Sequence, residues 1–267
     1  MKKAERPIGI FDSGLGGLTV FKELRRLLPA EDLIYFGDTA RVPYGTKSPE
    51  AVIAFSKEIA AFLASRRVKL LVVACNTASS LALEEVRRVS PAPVLGVIAP
   101  GVEAALKAVR PGGRILVTGT AATVKSRAYS RALSAARPGV RVTEKACPLF
   151  VPLVEEGWCS KPVALTVARE YLAPFRKKKI DALILGCTHY PLLKGVIGRV
   201  MGPRTSIVDS ARAAALAARA ELAARGLLAA GRRGRSEFMV SDAPEKFSVL
   251  AGRLLGIRTG KVSVKRF

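Results

Sequence analysis

Two short stretches gather nucleophiles and proton carriers where apolar runs end: LLVVACNTASS, residues 70–80, and ALILGCTHYPLL, residues 182–193. Asn76 and Thr77 follow Cys75; Thr188 and His189 follow Cys187. His189 is the chain's only histidine. A buried cysteine is more often a small inert hydrophobe than a reagent, and Cys147 and Cys159 are read that way. Cys75 and Cys187 differ because each stands where a strand should turn into a helix, whose N-terminal partial positive charge favours a thiolate. His189, two residues from Cys187, becomes a plausible proton partner. One activated cysteine would suggest acyl transfer, with a nucleophile, a base and an oxyanion hole. Two cysteines approaching one carbon from opposite faces suggest that one removes a proton and the other returns it, which is racemisation by two bases.

Other chemistries are less well served. The string GLGG at residues 14–17 follows a strand and precedes a helix, with Asp38 ending the next strand, as in a dinucleotide-binding turn. However, Thr19 occupies the third glycine position, and Asp12 and Ser13 stand where a pyrophosphate would approach. A carboxylate there repels phosphate, whereas the backbone N–H groups of such a turn can equally cradle a substrate carboxylate. The four cysteines and one histidine offer soft metal ligands but no C-x-x-C pair, so neither a zinc site nor a thioredoxin-like redox centre is expected. No metal and no cofactor are expected.

These residues need elements to hold them. Short apolar runs (PIGIFDSG, LIYFGD, LLVVAC, VLGVI, RILVTG, VRVTEKAC, ALILGC, TSIVD and EFMVSD) read as strands, separated by helical stretches such as 18–28, 49–65, 78–89 and 161–175. Strands apolar on both faces and alternating with helices imply a parallel sheet covered on both sides, an α/β fold. In such sheets ligands bind beyond the carboxyl ends of the strands. Asp12, Ser13, Asp38, Cys75, the 118–123 segment and Cys187 to His189 all fall there, which predicts one shared site. The chain also echoes itself: IGIFDSG and LLVVACNT are answered by RILVTGT and ALILGCTH. The expectation is two pseudo-symmetric, doubly wound parallel-sheet domains, each lending one thiol to the cleft between them. Residues 1–99 with 211–267 form the first and residues 100–210 the second.

The totals are compatible with this. The chain has 267 residues, 49% of them hydrophobic, enough for one large or two smaller well-packed domains. Four cysteines in such a length do not make a disulfide framework. The apolar run near the N-terminus stops at Asp12, too short for a signal-peptide core. The Ala-rich segment 211–230 comes closest to a membrane span, but arginines and a glutamate interrupt it. A reducing cytoplasm and free thiols are expected. The net charge of +23 is large. It could attract nucleic acid or anionic metabolites through its summed field. Its basic residues are scattered in pairs, and no aromatic interleaving of a strand-binding groove accompanies them. A basic solvated surface is the expectation, and nucleic acid is not required.

Seven motifs occurring in order carry a resemblance: IGIFDSGLGGLTV, GDTARVPYG, VVACNTAS, GTAATVKS, CPLFVPLVEEG, LGCTHYPLL and IVDS. The chain resembles the glutamate racemases of the aspartate/glutamate racemase family, cofactor-independent enzymes supplying D-glutamate for bacterial peptidoglycan. The match covers nearly the whole chain and loosens after Asp209. The resemblance implies that Cys75 takes the α-proton from the D enantiomer and Cys187 from the L enantiomer. It implies that His189 assists Cys187, that Asp12 is the carboxylate near Cys75, and that Glu155 or Glu156 partners His189, with Glu155 better placed after VPLV. It further implies substrate contacts from Asp12, Ser13, Tyr44, Gly45, Asn76, Thr77, Thr120, Thr123, Thr188 and His189. The expected partners are glutamate as a small-molecule substrate and a second copy of the chain in a homodimer, with no membrane. The nearest rival is an aspartate racemase, differing only in pocket length. Under either reading, the site must lower the acidity barrier without a pyridoxal lysine motif. Asn, Thr and Ser groups with backbone N–H donors are expected to hold the substrate's charges.

Overall fold

The computed structural model describes residues 3–267. Ten strands alternate with helices: β1 (Ile8–Asp12), β2 (Leu33–Gly37), β3 (Leu70–Val73), β4 (Val94–Gly96), β5 (Arg114–Gly119), β6 (Arg141–Ala146), β7 (Ala182–Gly186), β8 (Ser206–Asp209), β9 (Ser236–Val240) and β10 (Val262–Val264). Every residue of β1, β2, β3 and β7 is buried. That is what continuous apolar runs produce when helices cover both faces of a sheet. Strand β6, RVTEKA, has no buried residue and takes an edge.

The strands form two all-parallel sheets, one in the order β10-β9-β2-β1-β3-β4 and one in the order β6-β5-β7-β8. The run β2-β1-β3-β4 in the first has the same order as β6-β5-β7-β8 in the second. The echo in the sequence is therefore a repeat in topology. In each sheet the connections reverse direction between two adjacent strands, β1 and β3 in one, β5 and β7 in the other. A crevice opens at the carboxyl ends of strands at such a reversal. Cys75 follows β3 and Cys187 follows β7, so each thiol stands at the reversal point of its own sheet.

Each sheet separates two apolar layers. Ile8, Ile10 and Val72 face one layer of the first sheet, and Phe11, Leu71 and Val73 the other. Leu116, Leu183 and Leu185 face one layer of the second, and Ile115, Val117 and Ile184 the other. The Ala-rich segment forms helix Ser210–Ala224, started by Asp209, whose side chain accepts from Ala211 N at 2.8 Å. Its buried Ala211, Ala214, Ala215, Ala218 and Leu222 join the first sheet's core. Among the described residues no helix is long and apolar enough to cross a membrane.

Two expectations need correction, and one strand had no counterpart among them. The helix read over 78–89 is two helices, Asn76–Leu81 and Leu83–Val89, broken at Ala82. Strand β10 has a three-residue core that gave no apolar run to read. After Cys187 the chain enters a turn and the 3₁₀ helix Tyr190–Leu193 before the helix Lys194–Met201.

At the opposite end of β3 from Cys75, Lys69 and Glu31 form a fully buried ion pair. Lys69 Nζ also donates to Ala4 O at 2.5 Å and to Leu227 O at 2.8 Å, while Glu31 Oε1 accepts from Ala229 N at 2.8 Å. The pair ties the N-terminal segment to the connection leading into β9.

Candidate active site

Local chemistry at the strand ends explains where the thiols point. Cys75 is the N-cap of helix Asn76–Leu81, and its sulfur accepts from Ala78 N at 3.5 Å. The same sulfur lies 3.8 Å from Ser13 Oγ, at the end of β1. Across the cleft, Cys187 Sγ lies 3.8 Å from Nδ1 of His189. The other imidazole nitrogen, Nε2, is 3.3 Å from Glu155 Oε1. That is ion-pair distance, although Nε2 has no partner aligned for a hydrogen bond among the described residues.

Both cysteines line a single cavity, together with Ser13, Tyr44, Gly45, Asn76, Thr77, Thr120, Thr188 and His189. Val42, Pro43 and Val151 complete its wall. The cavity measures ≈ 20 Å³. That is room for little more than one water, so the walls lie nearly closed on one another.

Contacts between the halves account for this closeness. A Cβ on Gly16 would come within 2.5 Å of His189 Nδ1, so only glycine lets the first half's turn meet the second half's loop. Thr19, which broke the dinucleotide pattern, sits with its hydroxyl 2.9 Å from Gly16 O and 3.1 Å from Thr188 O. The GLGG turn is thus a docking surface for the 187–189 loop. On the far side of the cavity, a Cβ on Gly45 would lie 2.7 Å from Thr120 Cβ. There Thr77 Oγ1 is 3.0 Å from Thr120 Oγ1 and 3.3 Å from Thr123 Oγ1, and the last two are 3.0 Å apart. Three hydroxyls from two halves satisfy one another at the seam.

Asp12, Thr123 and Glu155 do not line the cavity but stand directly behind residues that do. Asp12 is fully buried; its Oδ2 accepts from Gly14 N at 3.0 Å and its Oδ1 from Thr188 Oγ1 at 3.2 Å. Burial raises its carboxyl above the usual range, against the pull of the His189 charge and these hydrogen bonds. Glu155, half-exposed, is held below the ordinary carboxylate value by its interaction with His189. Glu156 caps its helix, and its carbonyl accepts from Arg253. Geometry separates the two glutamates.

The thiol expectation is met differently on the two sides. Burial pushes the Cys75 thiol up to about 12, reinforced by the nearby Asp12 carboxylate and only partly opposed by the Ala78 N–H and Ser13. A helix start of six residues therefore does not produce a thiolate at this position. His189 moves the opposite way from a buried imidazole. Burial pulls its pKa down, but interactions with Cys187 and Glu155 overcome that and leave it at about 10. At neutral pH it carries a proton beside the Cys187 sulfur, as an imidazolium paired with Glu155 behind it.

Two further residues hold cavity-lining side chains in place: Asp38, expected at the shared strand-end site, and Tyr129, which sequence reasoning did not assign to it. Tyr44 OH donates to Asp38 Oδ2 at 2.5 Å, and Asp38 also accepts from Arg41 Nε and Ser241 Oγ at 2.7 Å each. Asp38 thus anchors the Tyr44–Gly45 segment. Tyr129 OH donates to Asn76 Oδ1 at 2.7 Å across the cleft. Asp38 was visible as a strand-end carboxylate; for Tyr129 no local spacing signals a contact with a residue so distant in the chain.

A family profile described as Asp/Glu/Hydantoin racemase matches residues 8–218. A curated glutamate racemase from Geobacter metallireducens is 52% identical over 259 residues, covering 96% of this chain and 95% of that protein. Among solved structures, glutamate racemase from Thermus thermophilus in complex with beta-chloro-D-alanine superposes with a TM-score of 0.90 at 49% identity, covering 100% of this chain and 99% of that one. Glutamate racemase from Francisella tularensis in complex with D-glutamate superposes with a TM-score of 0.92 at 38% identity, covering 98% of each.

Proposed function

The chain belongs to the Asp/Glu/Hydantoin racemase family, and on that premise we propose that it racemises glutamate by passing the α-proton between Cys75 and Cys187. One observation carries the mechanism: two thiols from equivalent positions of two sheets line the same cavity. The identity with glutamate racemases over nearly the full chain supports the choice of substrate.

The chemistry needs one sulfur as base and the other as acid. The His189 imidazolium holds a positive charge beside the Cys187 sulfur, its Nδ1 3.8 Å away, which suits that sulfur to be the base. Cys75, pushed up to about 12, keeps its proton. This protonation state matches the L enantiomer. The Cys187 thiolate takes the α-proton, an S–H bond forming as the Cα–H bond breaks. The electron pair left on Cα is spread into the α-carboxylate. Cys75 then delivers its proton to the opposite face, giving the D enantiomer and a Cys75 thiolate. The reverse reaction starts from that second state. Amide and hydroxyl donors from Asn76, Thr77, Thr120, Thr188 and Ser13 hold the substrate's charges, and their alignment with the developing carboxylate charge lowers the barrier.

A cavity of ≈ 20 Å³ cannot take up an amino acid without movement. Residues 1–99 with 211–267 form one body and residues 100–210 the other. They part to admit glutamate and close to exclude water, gating turnover. The D-glutamate made supplies peptidoglycan synthesis in a reducing cytoplasm, where the four unpaired cysteines stay as thiols. The test is polarimetry with purified protein on L-glutamate and L-aspartate, with no cofactor added. Loss of optical rotation with glutamate, and its disappearance in both Cys75→Ala and Cys187→Ala, is expected. Preference for aspartate, or normal racemisation by either variant, would overturn the reading.

A further inference from the structure

We infer that Tyr129 is a positioning residue for the reaction, its hydroxyl fixing which end of the Asn76 amide meets the substrate. The inference rests on the reading that the cavity takes glutamate. Asn76 lines the cavity beside Cys75 and is 2% exposed. Its Oδ1 accepts from Tyr129 OH at 2.7 Å, while its buried Nδ2 has no hydrogen-bond partner among the described residues. Buried amides are normally satisfied at both ends. An amide left with two spare N–H donors at the wall of a cavity is suited to a carboxylate acceptor.

A primary amide can be turned end for end with little change in shape, so something must select the orientation. With the nitrogen facing the substrate it donates to a carboxylate; with the oxygen facing it, two acceptors repel. The phenol hydroxyl can donate or accept, and here its proton goes to Oδ1 at 2.7 Å, which leaves Nδ2 as the end free for substrate. Burial raises the Tyr129 hydroxyl well above its ordinary value, so it stays protonated throughout the working range. The ring is held tightly. A Cβ on Gly186 would lie 3.2 Å from its Cε2, and one on Gly101 3.5 Å from its OH.

The bond also crosses the cleft. Asn76 follows β3 of the first sheet, and Tyr129 lies in the helix Ala128–Ala136, between β5 and β6 of the second. The amide is therefore oriented for binding only when the two halves meet. Closure and completion of the binding group become one event.

Calorimetric titration of D-glutamate into wild type, Tyr129→Phe, Asn76→Ala and the double variant tests this. Tyr129→Phe should weaken binding about fivefold to tenfold, the size of one hydrogen bond. The double variant should bind no more weakly than Asn76→Ala alone, because Tyr129 acts through that amide. Wild-type affinity in Tyr129→Phe, or losses that multiply in the double variant, would overturn the inference. The side-chain amide resonances of Asn76, identified by their loss in Asn76→Ala, give a second readout that needs no ligand. They should shift or broaden in Tyr129→Phe; unchanged resonances would also overturn the inference. Wild type that binds no glutamate would instead sink the functional reading, with the resonances still deciding the role of Tyr129.

Discussion

The Nε2 atom of His189 lies 3.3 Å from Glu155 Oε1, while its Nδ1 lies 3.8 Å from the Cys187 sulfur. The imidazole thus stands between a carboxylate and a thiol, and a proton on it is favoured from both sides. Its value of about 10, against an ordinary 6.5, makes it a cation across the physiological range.

The pH profile of kcat/KM should therefore hold through neutrality and fall as pH rises past about 10, where His189 loses its proton. The limb should be the same for both substrates, because the equilibrium constant between enantiomers is one. Glu155→Gln should move it down by about one pH unit, since an opposite charge at contact distance is removed. Glu156→Gln should leave it in place. A limb that ignores Glu155→Gln would contradict the His189–Glu155 pairing. Stability carries the same sign. The contribution of a raised histidine is fully present below pH 6.5 and is lost as pH rises to about 10. The difference in melting temperature between wild type and His189→Asn should shrink over that window.

Gly16 tests the docking of the 187–189 loop. In Gly16→Ala the new Cβ would come within 2.5 Å of His189 Nδ1. The loop must retreat, and displacement of a catalytic group by about 1 Å costs about 10²-fold in rate. Gly195→Ala, in the helix Lys194–Met201 with nothing within 4 Å of its Cβ, is the control. It should keep full activity and gain up to about 1 kcal/mol of stability from helix propensity. Equal activity in the two variants would show that the turn does not set the loop.

The Lys69–Glu31 pair tests stability away from the site. Removing one member leaves an uncompensated buried charge, so Lys69→Met should cost about 3–5 kcal/mol in urea unfolding. Lys69→Met with Glu31→Gln should recover most of that loss. The kcat of folded protein should not change, because the pair lies at the other end of β3 from Cys75. A single variant as stable as wild type would show the pair to be dispensable.

Much of this was legible in the residues, and the boundary is physical. Strands apolar on both faces announce a covered parallel sheet, and the echo of Cys75 by Cys187 announces the repeated order β2-β1-β3-β4 and β6-β5-β7-β8. Ten of the thirteen side chains and glycines named for the site line the cavity, and Asp12, Thr123 and Glu155 sit one layer behind. The resemblance named Glu155 or Glu156, and only geometry separated them. Illegible were the effects of burial and of the second half. A helix start argued for a Cys75 thiolate, but full desolvation beside Asp12 dominates it. The GLGG turn suggested an anion cradle, yet Gly16 is small because His189 packs against it. Tyr129 reaches Asn76 only after both halves have folded and met.

Heavy water tests the two-thiol proton transfer most directly. L-Glutamate incubated in deuterium oxide with the protein should yield D-glutamate carrying deuterium at Cα from the first turnovers, while remaining L-glutamate stays protiated. That follows if Cys187 takes the proton away and Cys75 delivers another from the opposite face. D-Glutamate retaining the original hydrogen, or deuterium entering unreacted L-glutamate as fast as the product, would mean that a single base serves both faces.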